Sequence, residues 1–183
     1  MHRDLVERAM AGDREAFTEL TRRSIAKLYA VARLILRDTE RAEDATQEAL
    51  VAAWRQLSAL RDPDRFDAWL RRLLVRACYR EASKDQHQRR VEARIRPIAM
   101  ESADPSIALA DQDELERGFA RLAPDQRALI VLHYYLGLPM HETSEILGIP
   151  VGTVKSRLFR TTQQMRAALE ADARLPLIAG RPT

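Results

Sequence analysis

The chain's clearest chemistry lies within residues 139–160, PMHETSEILGIPVGTVKSRLFR. Lys155, Ser156, Arg157 and Arg160 fall within two helical turns, with Thr153 just ahead of them. An Arg fork can grip a guanine edge or a phosphate through two parallel hydrogen bonds. Lys supplies a point charge aimed at phosphate, and a Ser hydroxyl bonds to either. Such groups on one short rigid element suit the reading of DNA. The element that must hold them is legible. A helix-compatible run from His141 to Leu147 stops at Gly148, and Ile149 and Pro150 form the turn. A second run opens near Gly152 and Thr153, with Val154, Leu158 and Met165 as its scaffold side. Two short helices around a Gly-containing turn, the second one basic, make a helix-turn-helix, which lays its second helix in the major groove.

A second basic constellation lies in the first half. Arg71, Arg72, Arg76 and Arg80 recur at helical spacing beside an apolar stripe of Phe66, Trp69, Leu70, Leu73, Leu74 and Ala77. The ridge could track a nucleic-acid backbone or be an ordinary solvated face. Phe66 and Trp69 fit the core, whereas Tyr79 falls off the apolar face. Acids gather in the preceding run: Asp38, Glu40, Glu43, Asp44 and Glu48. Near a helix start they favour the macrodipole. Asp44, Gln47 and Glu48 also share a polar face able to dock on a basic partner, and the residues alone leave both readings open.

The elements around these groups are helical. Asp13 is expected to cap a run bearing Phe17, Leu20, Leu28, Val31 and Ile35. Thr39 is expected to cap the next, with Ala42, Ala45, Ala49, Ala53 and Leu57 on one face. Pro63 interrupts, and Asp64 is expected to cap a third run. Residues 5–85 thus read as one compact helical domain. The apolar period lapses over residues 86–109, which read as a linker, and Glu101, Asp104, Asp111, Asp113, Glu114 and Glu116 make the stretch 98–116 acidic. Helical pattern returns with Leu115, Phe119 and Leu122. Pro124 suits the first position of a helix whose core face is Leu129, Leu132 and Leu136, and Gly137 can end it. A second domain is expected over 110–170 and a disordered tail over 171–183. The fold class is all-α: two small helical domains, the C-terminal one a helix-turn-helix, on a flexible linker.

Composition narrows the function. Of 183 residues, 46% are hydrophobic, 31% charged and 5% aromatic. The pI is near 9.3 but the net charge is only +3, so the placement of charge matters more than its sum. The lone Cys78 permits no internal disulfide and is expected to be packed. No apolar stretch is long enough to span a membrane, and the N-terminus lacks a signal-peptide core, so no membrane insertion and a cytoplasmic location are expected. There is no Gly-rich phosphate loop and no HExxH. His133 and His141 have no Cys nearby to complete a zinc site. Neither catalytic residues, nor a metal, nor a cofactor is expected.

Together these segments resemble the extracytoplasmic-function class of bacterial sigma factors, from about residue 12 to residue 169. RAEDATQEALVAAW, residues 41–54, is similar to the segment that docks on the polymerase clamp. PDRFDAWLRRLLVRACYREA, residues 63–82, is similar to the segment that melts and reads the −10 promoter element. Residues 121–158, ending in GIPVGTVKSRL, resemble the domain that binds the −35 element. The resemblance implies core RNA polymerase and promoter DNA as partners, and often an anti-sigma factor, which no residue here reveals. It implies polymerase contact by Asp44, Gln47 and Glu48, and −10 contact by Arg71, Arg72, Arg76 and Arg80. It implies −35 contact by Thr153, Lys155, Ser156, Arg157 and Arg160.

Three departures stand out. Arg76 and Arg80 occupy positions where the family usually has Asn and Asp. Thr143 and Ser144 replace an apolar–Ala pair in the helix-turn-helix. Thr161, Thr162, Gln163 and Gln164 follow Arg160 where Ala and further basic residues are common. A linker over 86–109 reaches at most about 80 Å when extended, or over roughly 20 base pairs, enough for two promoter elements. The competing reading is a freestanding helix-turn-helix regulator, which would footprint alone, usually as a dimer on a palindrome.

Overall fold

A computed structural model describes residues 2–95 and 116–174. The helices are α1 (His2–Met10), α2 (Arg14–Leu36), α3 (Thr39–Gln56) and α4 (Phe66–Ile95). A short helix, α5, is described over 116–120. It is followed by α6 (Pro124–Ile130), α7 (Met140–Leu147) and α8 (Val151–Arg174). Two 3-10 turns, Leu57–Ala59 and Pro63–Arg65, join α3 to α4, and α6 runs into a π-helical turn, Val131–Tyr135. Among the described residues there is no strand, and no helix is long and apolar enough to cross a membrane.

Local chemistry sets most helix ends. Asp13 caps α2 as expected, its carboxylate accepting from the backbone N–H of Glu15 at 2.9 Å and of Ala16 at 3.0 Å. Arg8 closes on the same carboxylate at 2.6 Å, and with the Ala16 N–H as the larger cause this holds the Asp13 pKa below its usual value. Two other caps fall elsewhere than expected. Asp38, not Thr39, caps α3 by accepting from the Arg41 N–H at 3.0 Å. Asp62, not Asp64, caps the turn before α4 by accepting from the Asp64 N–H at 3.0 Å. In both places two nearby residues are good caps, and the chain uses the one in extended backbone. The helix α1 had no counterpart in the sequence reading. The helix α4 carries on to Ile95, into the segment expected to be a linker, and α8 runs to Arg174, into the expected tail. The rest of both segments lies outside the described residues, as does Leu115.

The helix α3 presents an alanine face to α4. Ala42, Ala45, Ala49 and Ala53 are fully buried, and the Thr46 hydroxyl among them donates to the Ala42 carbonyl at 2.6 Å. Side chains this small let the two helices close on each other, so the acids of α3 come within reach of the basic side of α4. Leu20, Ile35, Phe66 and Leu74 fill the centre. Cys78 is buried and its thiol is pushed up to about 12 by desolvation, so it packs as a small hydrophobe. Trp69, expected in the core, is half-buried against Phe66, with ring centroids 6.0 Å apart.

The two halves of the chain share this core. Ala128, Val131, Leu132, Leu138 and Ile146 join the same apolar cluster as the residues of α1–α4. A smaller cluster of Leu129, Val154 and Leu158 fastens α8 to its own half. Arg127 bridges the halves. It is 8% exposed, and its Nε donates to the Ile35 carbonyl in the last turn of α2 at 2.5 Å, while Nη1 donates to the Leu122 carbonyl at 3.0 Å. The end of a helix leaves its last carbonyls without intrahelical partners and carries a partial negative charge, so a guanidinium satisfies it twice over. Burial, and then the nearby Arg37, depress the Arg127 pKa. Arg37 itself donates to the Glu116 carbonyl at 3.0 Å, and Arg65 meets Glu145 at 3.4 Å.

Candidate nucleic-acid interface

The turn between α7 and α8 is built by backbone and hydroxyl groups. Gly148 adopts a left-handed φ of 69°, and its N–H donates to the Ser144 carbonyl at 2.8 Å. The Ser144 hydroxyl then donates to the Ile149 carbonyl at 2.5 Å. Thr143 is fully buried and its hydroxyl donates to the Pro139 carbonyl at 3.2 Å. The two polar residues that replace an apolar–Ala pair are therefore satisfied, and Ser144 ties the turn directly. The Pro150 carbonyl accepts from the N–H groups of Thr153 and Val154 at 2.9 and 3.0 Å, which starts α8.

Val154, Leu158 and Thr161 are buried and fix the rotation of α8, so Lys155, Ser156, Arg157 and Arg160 all face solvent, with Thr153 half-buried. At 3.6 residues per turn, Ser156 lies near the centre of the exposed arc, with Arg160 on one side and Phe159 and then Lys155 on the other. The Ser156 hydroxyl donates to the Thr153 carbonyl at 3.1 Å, and Arg160 Nε donates to the Ser156 carbonyl at 3.3 Å. Arg157 sits on the flank of that arc, 3.9 Å from Asp125. Sequence reasoning missed Phe159, which is 64% exposed one turn beyond Lys155 and Ser156. An aromatic ring left in water on a helix held by other residues was the available signal; it suits a thymine methyl group. On this geometry Arg160→Ala should cost about 1–3 kcal/mol of DNA affinity and relax preference at one base position. Lys155→Ala should weaken all sequences alike and flatten the salt dependence. Binding titrations on a base-substitution series at two salt concentrations check both.

The basic side of α4 is partly engaged. Arg72, Arg76 and Arg80 are exposed and Arg71 is half-buried. No hydrogen bond or ion pair joins Arg71, Arg72 or Arg76 to another described residue. Arg80, in contrast, donates from Nε to Glu48 at 2.8 Å across the α3–α4 contact. Of the three residues expected to face a basic partner, Asp44 and Gln47 are exposed and Glu48 is half-buried in this ion pair. Tyr79 is half-buried and packs on the core rather than off it, on a side of α4 that the second half of the chain also meets; desolvation raises its phenol pKa, with Asp125 adding to the shift.

Among the described residues no group of His, Cys, Asp and Glu could hold a metal ion. The candidate residues are cations on α4 and α8 and acids on α3.

Comparisons with known proteins agree with this reading. The family model for Sigma-70 region 2 matches residues 20–89, and that for Sigma-70, region 4 matches residues 112–165. The ECF RNA polymerase sigma factor SigM of Mycobacterium tuberculosis is 33% identical over 167 residues, 91% of this chain and 83% of that protein. The RNA polymerase sigma-H factor of Pseudomonas aeruginosa is 27% identical, covering 91% of this chain and 92% of that protein. Among solved structures, CnrH in complex with the cytosolic domain of CnrY matches with a TM-score of 0.65 at 27% identity, covering 93% of this chain and 98% of that one. The sigma factor RpoE of Bartonella quintana, in complex with the anti-sigma factor NepR, shares the fold, with a TM-score of 0.66 at 22% identity, covering 85% of this chain and 98% of that one. Both family segments in order, with 33% identity to SigM across most of the chain, place it in the extracytoplasmic-function class of the sigma-70 family, as an RNA polymerase sigma factor acting in promoter recognition.

Proposed function

We propose that the chain divides promoter recognition between its two halves, with α3 turned to polymerase, α4 to the −10 element and α8 to the −35 element. The single observation that carries this is the set of exposed cations on α8, held outward by buried Val154, Leu158 and Thr161. Lys155, Ser156 and Arg160 read or grip the upstream duplex, with Thr153 and Arg157 at the edge. Arg71, Arg72 and Arg76 follow the backbone of the downstream element, joined by Arg80 once it is free of Glu48. Asp44, Gln47 and Glu48 meet a basic surface of core RNA polymerase. The protein contributes no catalytic group; polymerase performs the chemistry, and the protein works in the cytoplasm, where polymerase is. An anti-sigma factor is a further proposed partner, on the likeness to CnrH and RpoE, both solved in complexes. The freestanding-regulator reading is disfavoured by region 2, which such a protein has no use for.

The test is run-off transcription with core polymerase and a library of genomic promoter fragments. Discrete transcripts that need this protein are expected. Tight footprints by the protein alone, with no transcript from any template, would favour the regulator.

A further inference from the structure

Two residues assigned to different partners are bonded to each other. Glu48 stands on α3, on the face proposed to meet polymerase, and Arg80 stands on α4, on the ridge proposed to meet DNA. They form an ion pair at 2.8 Å. Further along the contact the polarity reverses. Arg41 of α3 meets Asp85 of α4 at 2.5 Å, and Lys84, one turn beyond Arg80, holds Glu81 at 2.6 Å with Glu48 and Asp44 also favouring its charge. Arg76, one turn before Arg80 on the same ridge, is exposed and has no bonded partner among the described residues. The ridge thus offers open cations, Arg76 next to Arg80 among them, and one that is neutralised.

We infer that the Glu48–Arg80 pair is an exchange point, at which polymerase takes Glu48 and so releases Arg80 to a DNA phosphate. This rests on the assignment of Glu48 to polymerase and of α4 to the −10 element. While paired, Glu48 offers polymerase no net charge and Arg80 offers DNA none. A basic group arriving on α3 substitutes for Arg80, and a phosphate arriving on α4 substitutes for Glu48. Each partner removes the other's competitor, so the two binding events favour each other. Both side chains are substantially exposed, 49% for Arg80 and 39% for Glu48, so the pair is weak enough to exchange. A buried pair would resist both partners.

The test compares the full-length free protein with its complex with core polymerase. The probe for the free protein is an oligothymidylate of about 16 nucleotides, a length one binding surface can occupy, read by fluorescence anisotropy over a salt series. Glu48→Gln unmasks Arg80, so binding should tighten about three- to fivefold. The salt slope should steepen by about 0.7, one further single-strand phosphate contact. Adding Arg80→Gln should cancel both changes. Arg80→Gln alone should hardly alter the free protein, whereas Arg76→Gln should weaken it. With core polymerase bound, Arg80→Gln should reduce permanganate reactivity of melted promoter thymines, most at high salt. The exchange is overturned if Glu48→Gln leaves oligothymidylate binding unchanged, or if Arg80→Gln weakens the free and polymerase-bound proteins equally. Competition of Glu48→Gln for core polymerase is measured separately. Normal competition there, with the DNA effects present, would refute the docking role of Glu48 and hence polymerase as the trigger, while leaving the masking of Arg80 standing. Circular dichroism melts of each variant exclude loss of fold as the cause.

Discussion

Reversing Asp44 and Glu48 together to Lys should cost about 2–5 kcal/mol of affinity for core polymerase, the range for disrupting desolvated charge pairs at an interface. Asp44 is exposed on α3 and is held by no hydrogen bond or ion pair to another described residue, so it is available to a partner at no cost to the fold. Glu48 lies one turn further along the same face. Binding of the full-length variant to a −35 duplex should be unchanged, because α8 belongs to the other half of the chain. Competition against the unaltered protein for core polymerase reads the first effect, and anisotropy with duplex DNA reads the second. A variant that competes as well as the parent would refute the docking role of both acids.

Arg127→Ala should lower stability by about 2 kcal/mol, because it strips the donor from two buried carbonyls. The loss is smaller than the sum of two such penalties, since a guanidinium with no carboxylate partner is itself costly to bury, and Arg37 repels it. Arg127→Met, which keeps much of the packing volume, should recover part of the loss. Denaturant titration of the three proteins measures this. The same substitutions should loosen the halves: small-angle scattering should show a larger radius for Arg127→Ala at temperatures where helix content is unchanged. A variant with normal compactness would show that the apolar contact alone holds the halves together.

The helices themselves were legible because their apolar period is strong. Ala42, Ala45, Ala49 and Ala53 of α3 fell on the face the sequence assigned to them, and so did Leu70, Leu73, Leu74 and Ala77 of α4. The outward set of α8 was legible for the same reason, since Val154 and Leu158 fix which residues remain outside. Caps were less secure. Asp38 beside Thr39, and Asp62 close to Asp64, offer equivalent chemistry, and only backbone conformation chooses between them. Long-range relations were not legible at all. Nothing in the pattern of α2 announces that its last turn receives Arg127. Nor does the pattern of α4 announce that its Tyr79 side meets the second half of the chain. The pairing of Arg80 with Glu48 needed the closeness that the alanine face allows, which a one-dimensional reading of charge does not register.

The core shared by the two halves bears on the protein's survival before any partner arrives. Ala128, Val131, Leu132, Leu138 and Ile146 pack in one apolar cluster with residues of α1–α4, so parting the halves would uncover part of it. Parted in water, they would form the contiguous apolar surface that invites self-association and proteolytic attack. Keeping that surface folded inward makes the waiting molecule soluble and resistant to digestion, and makes the separated form one that persists only in company. The cellular lifetime of the protein would then rise with the supply of polymerase or inhibitor able to hold it, and surplus molecules that open without a partner would be the first to be cleared.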